Sequence, residues 1–191
     1  MIFTVNSVVV AFGCSFFGTE ATVMNQPATT TPVFDLRAHM PLLAKQEGIW
    51  EGTYRYYDAD GNRIDEHRSR LICRVPSSGP HHYHQTNQYS WSDGRQEIRE
   101  FKGSFRDGKL WFDSELIEGW AAEEPLDEHR RTLLLYWVRR GEPDTYLYEM
   151  IQVDDACRQR TRVWQWIRGG ATRMRTLIDE VKVADDWRTV A

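Results

Sequence analysis

Turn-forming segments divide most of this chain into short stretches in which polar and apolar residues alternate. From Gly48 onward, segments rich in Gly, Pro, Asp, Asn and Ser recur about every 8–12 residues. The stretches between them show no helix-length apolar periodicity. Turn spacing of this kind is typical of all-β sandwiches and barrels.

The stretches between the turns predict about ten strands. Their bounds are 48–57, 64–75, 82–91, 95–105, 109–114, 116–122, 132–139, 145–152, 157–167 and 171–182. Short connections favour an antiparallel up-and-down meander, and closure into a barrel removes the two edge strands of a meander most simply. We therefore predict an all-β antiparallel barrel over residues 35–183, followed by a tail at 184–191. The predicted barrel domain begins with a short helical turn in which Leu36, Met40 and Leu43 share one face.

The N-terminal residues differ from the rest of the chain. Residues 1–34 contain no Lys or Arg and one acidic residue, Glu20. The apolar run at 8–12 lacks the preceding positive charge of a signal peptide and is too short to span a bilayer. We expect residues 1–34 to be a disordered extension or to include a misassigned start, with Met24 as the alternative start. We therefore expect the protein to be cytoplasmic, or to be exported if residues 1–23 are genuine.

Composition limits the classes of partner. The chain has 191 residues, which corresponds to one domain at about 150 residues per domain. Its 24 basic and 28 acidic residues give a net charge of −4 without a basic block, so nucleic acid is not expected as a partner. Three widely spaced cysteines without a CxxC pair predict neither a disulfide framework nor a zinc site. Cys73 and Cys157 are expected in strands, as buried apolar residues.

The first predicted strand begins with Gly48-Ile49-Trp50. This G-x-W, placed after a short helical turn, resembles the opening of lipocalins and related calycin barrels, and the segment is similar to a group of uncharacterised bacterial lipocalin-like proteins. The resemblance implies a barrel whose closed end is plugged by Trp50. It also implies an Arg from the last strand over that Trp, for which Arg173 and Arg175 are the candidates.

Alternate residues of each barrel strand face the interior. We take the face of Trp50 as the inward face of the first strand, and the more apolar face as the inward face of the next strands. These inward faces also carry aromatic and amide side chains with polar tips, a composition typical of a ligand pocket. A packed core in which these tips satisfy one another is the alternative. The predicted ligand-binding residues are Tyr56, Tyr83, Gln85, Tyr89, Trp137, Arg162 and Trp164.

His67 is the predicted catalytic residue if the protein is an enzyme. It shares the inward parity, and an imidazole titrates near neutrality, as a general acid or base requires. Tyr54, Asn87 and Tyr148 are the residues expected to polarise a substrate. A structural His near the barrel mouth is the alternative for His67.

Other polar residues in the predicted strands are assigned to the outer face. His82 and His84 form an H-x-H without a nearby Glu, so no metal site and no cofactor are predicted. Glu149 is expected in solvent by base rate. Arg158 and Arg160 are expected to form an outer charged stripe, from which Arg162 is excepted because it adjoins Trp164.

The leading functional prediction is the binding of a small aromatic or amphipathic molecule inside the barrel. One alternative is a cofactor-independent isomerase, cyclase or lyase that acts on such a molecule. Another is a protein-interaction module, because the later strands carry large residues on both faces, which also favours a homodimer. The sequence contains no P-loop, dinucleotide-binding or nucleophile-elbow motif.

Overall fold

The computed structural model describes residues 34–126 and 128–189. Two short helices, α1 (Leu36–His39) and α2 (Pro41–Lys45), precede the strands, and a 3-10 turn (Trp187–Thr189) follows them. The strands are β1 (Gly48–Asp58), β2 (Arg63–Arg74), β3 (Tyr83–Ser90), β4 (Gln96–Arg106), β5 (Lys109–Asp113), β6 (Ile117–Glu123), β7 (Thr132–Arg139), β8 (Thr145–Val153), β9 (Gln159–Arg168) and β10 (Ala171–Ala184).

The ten strands form a closed antiparallel barrel. Each strand pairs with its neighbours in sequence, and β1 also pairs with β10, so that Tyr54 lies between His67 on one side and Ile178 on the other. The predicted fold class is therefore confirmed. Every predicted strand boundary lies within about two residues of the observed one.

One boundary difference of two residues lies between β8 and β9. Cys157 was predicted within a strand, but it has a positive φ of 53° and lies in the turn before Gln159. Its thiol is buried and donates a hydrogen bond to the carbonyl oxygen of Lys45, at 3.2 Å. The turn is thereby attached to the end of α2.

The two helices cover one end of the barrel, here called the closed end. Leu36, Met40 and Leu43 are buried there, as their spacing predicts. Pro41 occupies the first turn of α2, where its missing N–H costs no helical hydrogen bond. Trp50 is fully buried beneath the helices, and its Nε1 donates to the carbonyl oxygen of Gln46 at 2.8 Å.

The cation over Trp50 comes from β9 and not from Arg173 or Arg175. The guanidinium of Arg160 lies 4.3 Å from the centre of a Trp50 ring, and Lys182 Nζ lies 5.6 Å away. Arg173 and Arg175 are exposed, because they lie near the start of β10, at the opposite end of the barrel.

The expectations for residues 1–33 and 190–191 lie outside the described residues. Among the helices that the structure does describe, none is long and apolar enough to cross a membrane. The cytoplasmic location stays a prediction.

Candidate functional site

A cavity of about 90 Å³ lies inside the barrel. Seven of the eleven predicted catalytic and ligand-binding residues line it: Tyr83, Gln85, Asn87, Tyr89, Trp137, Arg162 and Trp164. Most of the remaining wall is apolar and includes Phe101, Phe112, Leu133, Leu135, Leu147 and Ile151. The lining also includes Leu116, which is 36% exposed, so the cavity reaches the barrel surface.

The inward side chains of β3 form a continuous row of hydrogen bonds along the cavity wall. The Tyr83 hydroxyl donates to Gln85 Oε1 at 2.8 Å, and Gln85 Nε2 donates to Asn87 Oδ1 at 2.7 Å. Asn87 Nδ2 then donates to the Tyr89 hydroxyl at 2.6 Å. These tips satisfy one another, as the packed-core alternative anticipates for this strand. The row gives the wall a fixed polar strip.

Four charged side chains form a buried network opposite this row. Arg162 Nε lies 2.5 Å from Glu149 Oε1, and Arg162 Nη1 lies 3.5 Å from Glu180 Oε1. Arg160 Nε pairs with Glu180 Oε2. Arg162 Nη1 also donates to the Tyr54 hydroxyl at 2.9 Å. The positive charges of two guanidinium groups are therefore balanced by the negative charges of two carboxylates inside the barrel.

The outer-face assignments of Glu149 and Arg160 are wrong. Glu149 is 2% exposed and Arg160 is 3% exposed. Glu149 shares the inward parity of Leu147 and Ile151, and Arg160 shares that of Arg162. A charged residue is buried only where partners compensate its desolvation, and these partners come from other strands. Arg158, in contrast, is exposed and pairs with Asp185, as expected for the outer face.

The network fixes the charge of Arg162. Burial lowers the pKa of its guanidinium, but the carboxylates of Glu149 and Glu180 and the Tyr54 hydroxyl outweigh burial and leave the pKa raised. Burial also raises the pKa of Tyr54, whose hydroxyl accepts the Arg162 hydrogen bond. The site therefore holds a permanent cation beside a neutral phenol at physiological pH.

His67 lies in an aromatic surround and not on the cavity wall. Its ring stacks on Tyr54 at 4.9 Å and lies 4.5–4.7 Å from the ring centres of Trp91 and Tyr89. Tyr56, predicted to bind ligand, also packs here, at 5.5 Å. Neither His67 nitrogen has a hydrogen-bond partner among the described residues.

Burial lowers the pKa of His67 to about 4, although the nearby Asp65 carboxylate opposes the shift. The imidazole is therefore neutral at physiological pH. General acid–base catalysis works best with a pKa near the working pH. The surroundings of His67 thus favour a structural role over a role as general acid or base.

Tyr148 lies on the outside of the barrel. It is 54% exposed because it alternates with the inward Leu147 and Glu149 on β8, so it cannot polarise a substrate in the cavity. Tyr148 belongs to an outer aromatic cluster with Trp120, Tyr136 and Tyr146, whose neighbouring ring centres lie 5.3–6.2 Å apart. Large residues on both faces of the later strands were the reason to expect a protein partner, and this cluster lies on the outer face of those strands.

Two further arginines stand where the cavity meets the surface. Arg99 pairs with Glu97, and Arg139 Nε lies 3.1 Å from Glu142 Oε1. Both arginines line the cavity and keep about a quarter of their side-chain surface exposed. They were not predicted, although both share the inward parity of their strands.

No protein-family model and no curated protein sequence matches this chain. Its structure is similar to that of an S-type phycobiliprotein lyase from Guillardia theta, with 13% identity over 79% of this chain and 98% of the lyase, at a TM-score of 0.56. A protein of unknown function from the DUF3598 family of Nostoc punctiforme is also similar, with 12% identity and a TM-score of 0.53. That match covers 84% of this chain, which spans about half of the Nostoc protein. At these identities, the likeness concerns the barrel fold alone.

Proposed function

We propose that this protein binds a small aromatic or amphipathic molecule inside the barrel. The observation that carries the proposal is the cavity of about 90 Å³, lined by aromatic and aliphatic side chains beside a fixed polar strip and a buried charge network. Small-molecule sites combine an apolar wall with a few placed polar groups in this way.

The cavity volume limits the occupant. An engineered apolar cavity of about 150 Å³ holds one benzene molecule, so a cavity of about 90 Å³ takes at most one ring, and the rest of a longer molecule would lie outside it. The remainder of a longer ligand would pass between Arg99 and Arg139 at the surface. An amphipathic molecule would place its aromatic end in the cavity and its polar end between the two arginines at the surface.

A cofactor-independent isomerase, cyclase or lyase is the alternative. The fold likeness to a phycobiliprotein lyase is the observation in its favour. Against it, His67 is neutral at physiological pH and lies off the cavity wall. Chemical change of a bound compound during incubation with the protein would favour the enzyme over the binding protein.

Native mass spectrometry of the protein purified from its own host tests the binding function. We expect a bound small molecule, released by organic extraction. Leu135 lines the cavity and Val138 lies on the outer face of the same strand, so Leu135→Phe and Val138→Phe form a matched pair. L135F should lose the molecule and V138F should keep it. Equal retention by both folded variants would contradict binding inside the barrel.

The homodimer stays a prediction. The outer cluster of Trp120, Tyr136, Tyr146 and Tyr148 is the face it would use. Sedimentation velocity of the wild type and of Tyr148→Ser measures it directly, and a wild-type monomer at high concentration would contradict it.

A further inference from the structure

Two buried N–H donors in the cavity wall have no partner among the described residues. They are Trp164 Nε1 and Arg160 Nη2, both on β9. A buried donor without an acceptor costs free energy, so native structures rarely leave one without a reason. Two such donors on residues that line one cavity suggest that an occupant supplies the acceptors.

The neighbouring indoles show that Trp164 is a special case. Trp137 and Trp166 also line the cavity, and each has an acceptor. Trp137 Nε1 donates to Glu149 Oε2 at 3.2 Å, and Trp166 Nε1 donates to Thr176 Oγ1 at 3.0 Å. The fold therefore supplies acceptors to the other two indoles of the wall and leaves the Trp164 donor available.

The same holds within Arg160. Its Nε donates to Glu180, and its Nη1 donates to Gln46 Oε1 at 2.8 Å, while Nη2 has no acceptor. Arg160 is 3% exposed, so bulk solvent does not compensate. Four residues along a strand span about 13 Å. A single-ring ligand therefore reaches one of the two donors, and a longer ligand reaches both.

The acceptors of the wall are already engaged. Both oxygens of Glu149 accept hydrogen bonds, from Arg162 and Trp137, and both oxygens of Glu180 accept from arginines. The buried polar atoms of the wall that lack partners are thus donors. A ligand made for this wall brings acceptors and needs no donor of its own.

We infer that the ligand of this cavity is an aromatic carbonyl compound whose oxygen accepts a hydrogen bond from Trp164 Nε1. The inference rests on the proposed binding function and specifies its ligand class. The two arginines and two glutamates of the network cancel in charge. A buried carboxylate ligand would leave an uncompensated negative charge, so a neutral carbonyl fits better. Arg160 Nη2 takes a second carbonyl oxygen when the ligand is long enough.

Two probes of nearly equal shape test the inference: acetophenone, which has a carbonyl, and α-methylstyrene, which has a methylene in its place. Trp164→Phe removes the available donor. Trp166→Phe is the matched control, because it trims the same wall but removes a donor that already has an acceptor. Dissociation constants come from ligand-observed NMR titrations of the full chain. The measured quantity is the ratio of the dissociation constants of acetophenone and α-methylstyrene. Because the two probes have nearly the same shape, a change in cavity shape affects both constants alike and cancels in the ratio.

We expect W164F to weaken acetophenone binding relative to α-methylstyrene by about tenfold, because a carbonyl oxygen loses its donor. W166F should leave the ratio within about twofold. Equal weakening of both probes by W164F would overturn the inference but leave the binding function standing. Failure of the wild type to bind either probe would overturn the binding function, and the inference with it.

Discussion

Arg162 and Glu149 form an ion pair inside the barrel, with 2.5 Å between Nε and Oε1 and with both side chains at most 6% exposed. The pair joins β9 to β8 and reaches β1 through the Tyr54 hydroxyl and β10 through Glu180. It is therefore part of the cavity wall as well as of the core.

Removing one partner of this pair should be costly. Arg162→Met leaves the Glu149 carboxylate buried without its main partner, and we expect a loss of about 3–5 kcal/mol in the free energy of unfolding. Urea denaturation followed by circular dichroism measures the loss. Arg162→Met combined with Glu149→Leu should recover much of it, because no unpaired charge remains.

The control is an exposed ion pair. Arg55 pairs with Asp179 at 2.9 Å on the outer face, with side chains 35% and 67% exposed. Arg55→Met should cost less than about 1 kcal/mol. Similar losses for Arg55→Met and Arg162→Met would contradict the energetic role of the buried pair.

His67 should make the fold sensitive to mild acid. Its pKa is about 4 in the folded protein and near 6.5 when unfolded. The unfolded chain therefore binds more protons below pH 6.5, and stability falls as the pH drops from about 6.5 to about 4, by about 1–3 kcal/mol. No further loss from this group follows below pH 4.

The difference between wild type and His67→Phe isolates this contribution. Phe keeps the stacking on Tyr54 and removes the titrating nitrogens. We expect the unfolding free energy of H67F to fall less steeply between pH 6.5 and pH 4. Parallel pH profiles for the two proteins would show that the folded-state pKa of His67 is not depressed.

Gly52 allows β1 and β10 to approach closely beside the charge network. A Cβ atom there would lie 2.1 Å from the carbonyl oxygen of Asp179 and 2.6 Å from Cγ of Glu180. We expect Gly52→Ala to destabilise the fold by about 3 kcal/mol or more, because backbone must move. Thr53→Ala, at the adjacent half-buried position, should cost clearly less, and equal melting temperatures for the two variants would refute the steric account.

The turns and the parity of the first three strands could be predicted because their signals are local. In β1 to β3, the Trp50, Leu71 and Tyr83 sets define one clearly more apolar face. In β8 both faces carry large residues, so the sequence alone placed the wall residue Glu149 in solvent and the outer Tyr148 in the cavity, both wrongly. The burial of a charge is decided by a partner on another strand, which no local pattern shows.

The cation on Trp50 illustrates the same limit. The G-x-W pattern placed Trp50 at the closed end correctly. The choice of Arg160 over Arg173 or Arg175 depends on which end of β10 faces the helices and on the register between β9 and β10. Cavity volume likewise depends on all the inward side chains together.

The most direct test of ligand binding inside the barrel is the indole region of the ¹H–¹⁵N spectrum during a titration with acetophenone. Trp137, Trp164 and Trp166 line the cavity, whereas Trp111 and Trp120 lie on the outer face. The account predicts saturable shifts of the three inner indole signals, largest for Trp164, with the two outer signals unchanged. Shifts confined to Trp111 and Trp120, or no shifts at all, would contradict it.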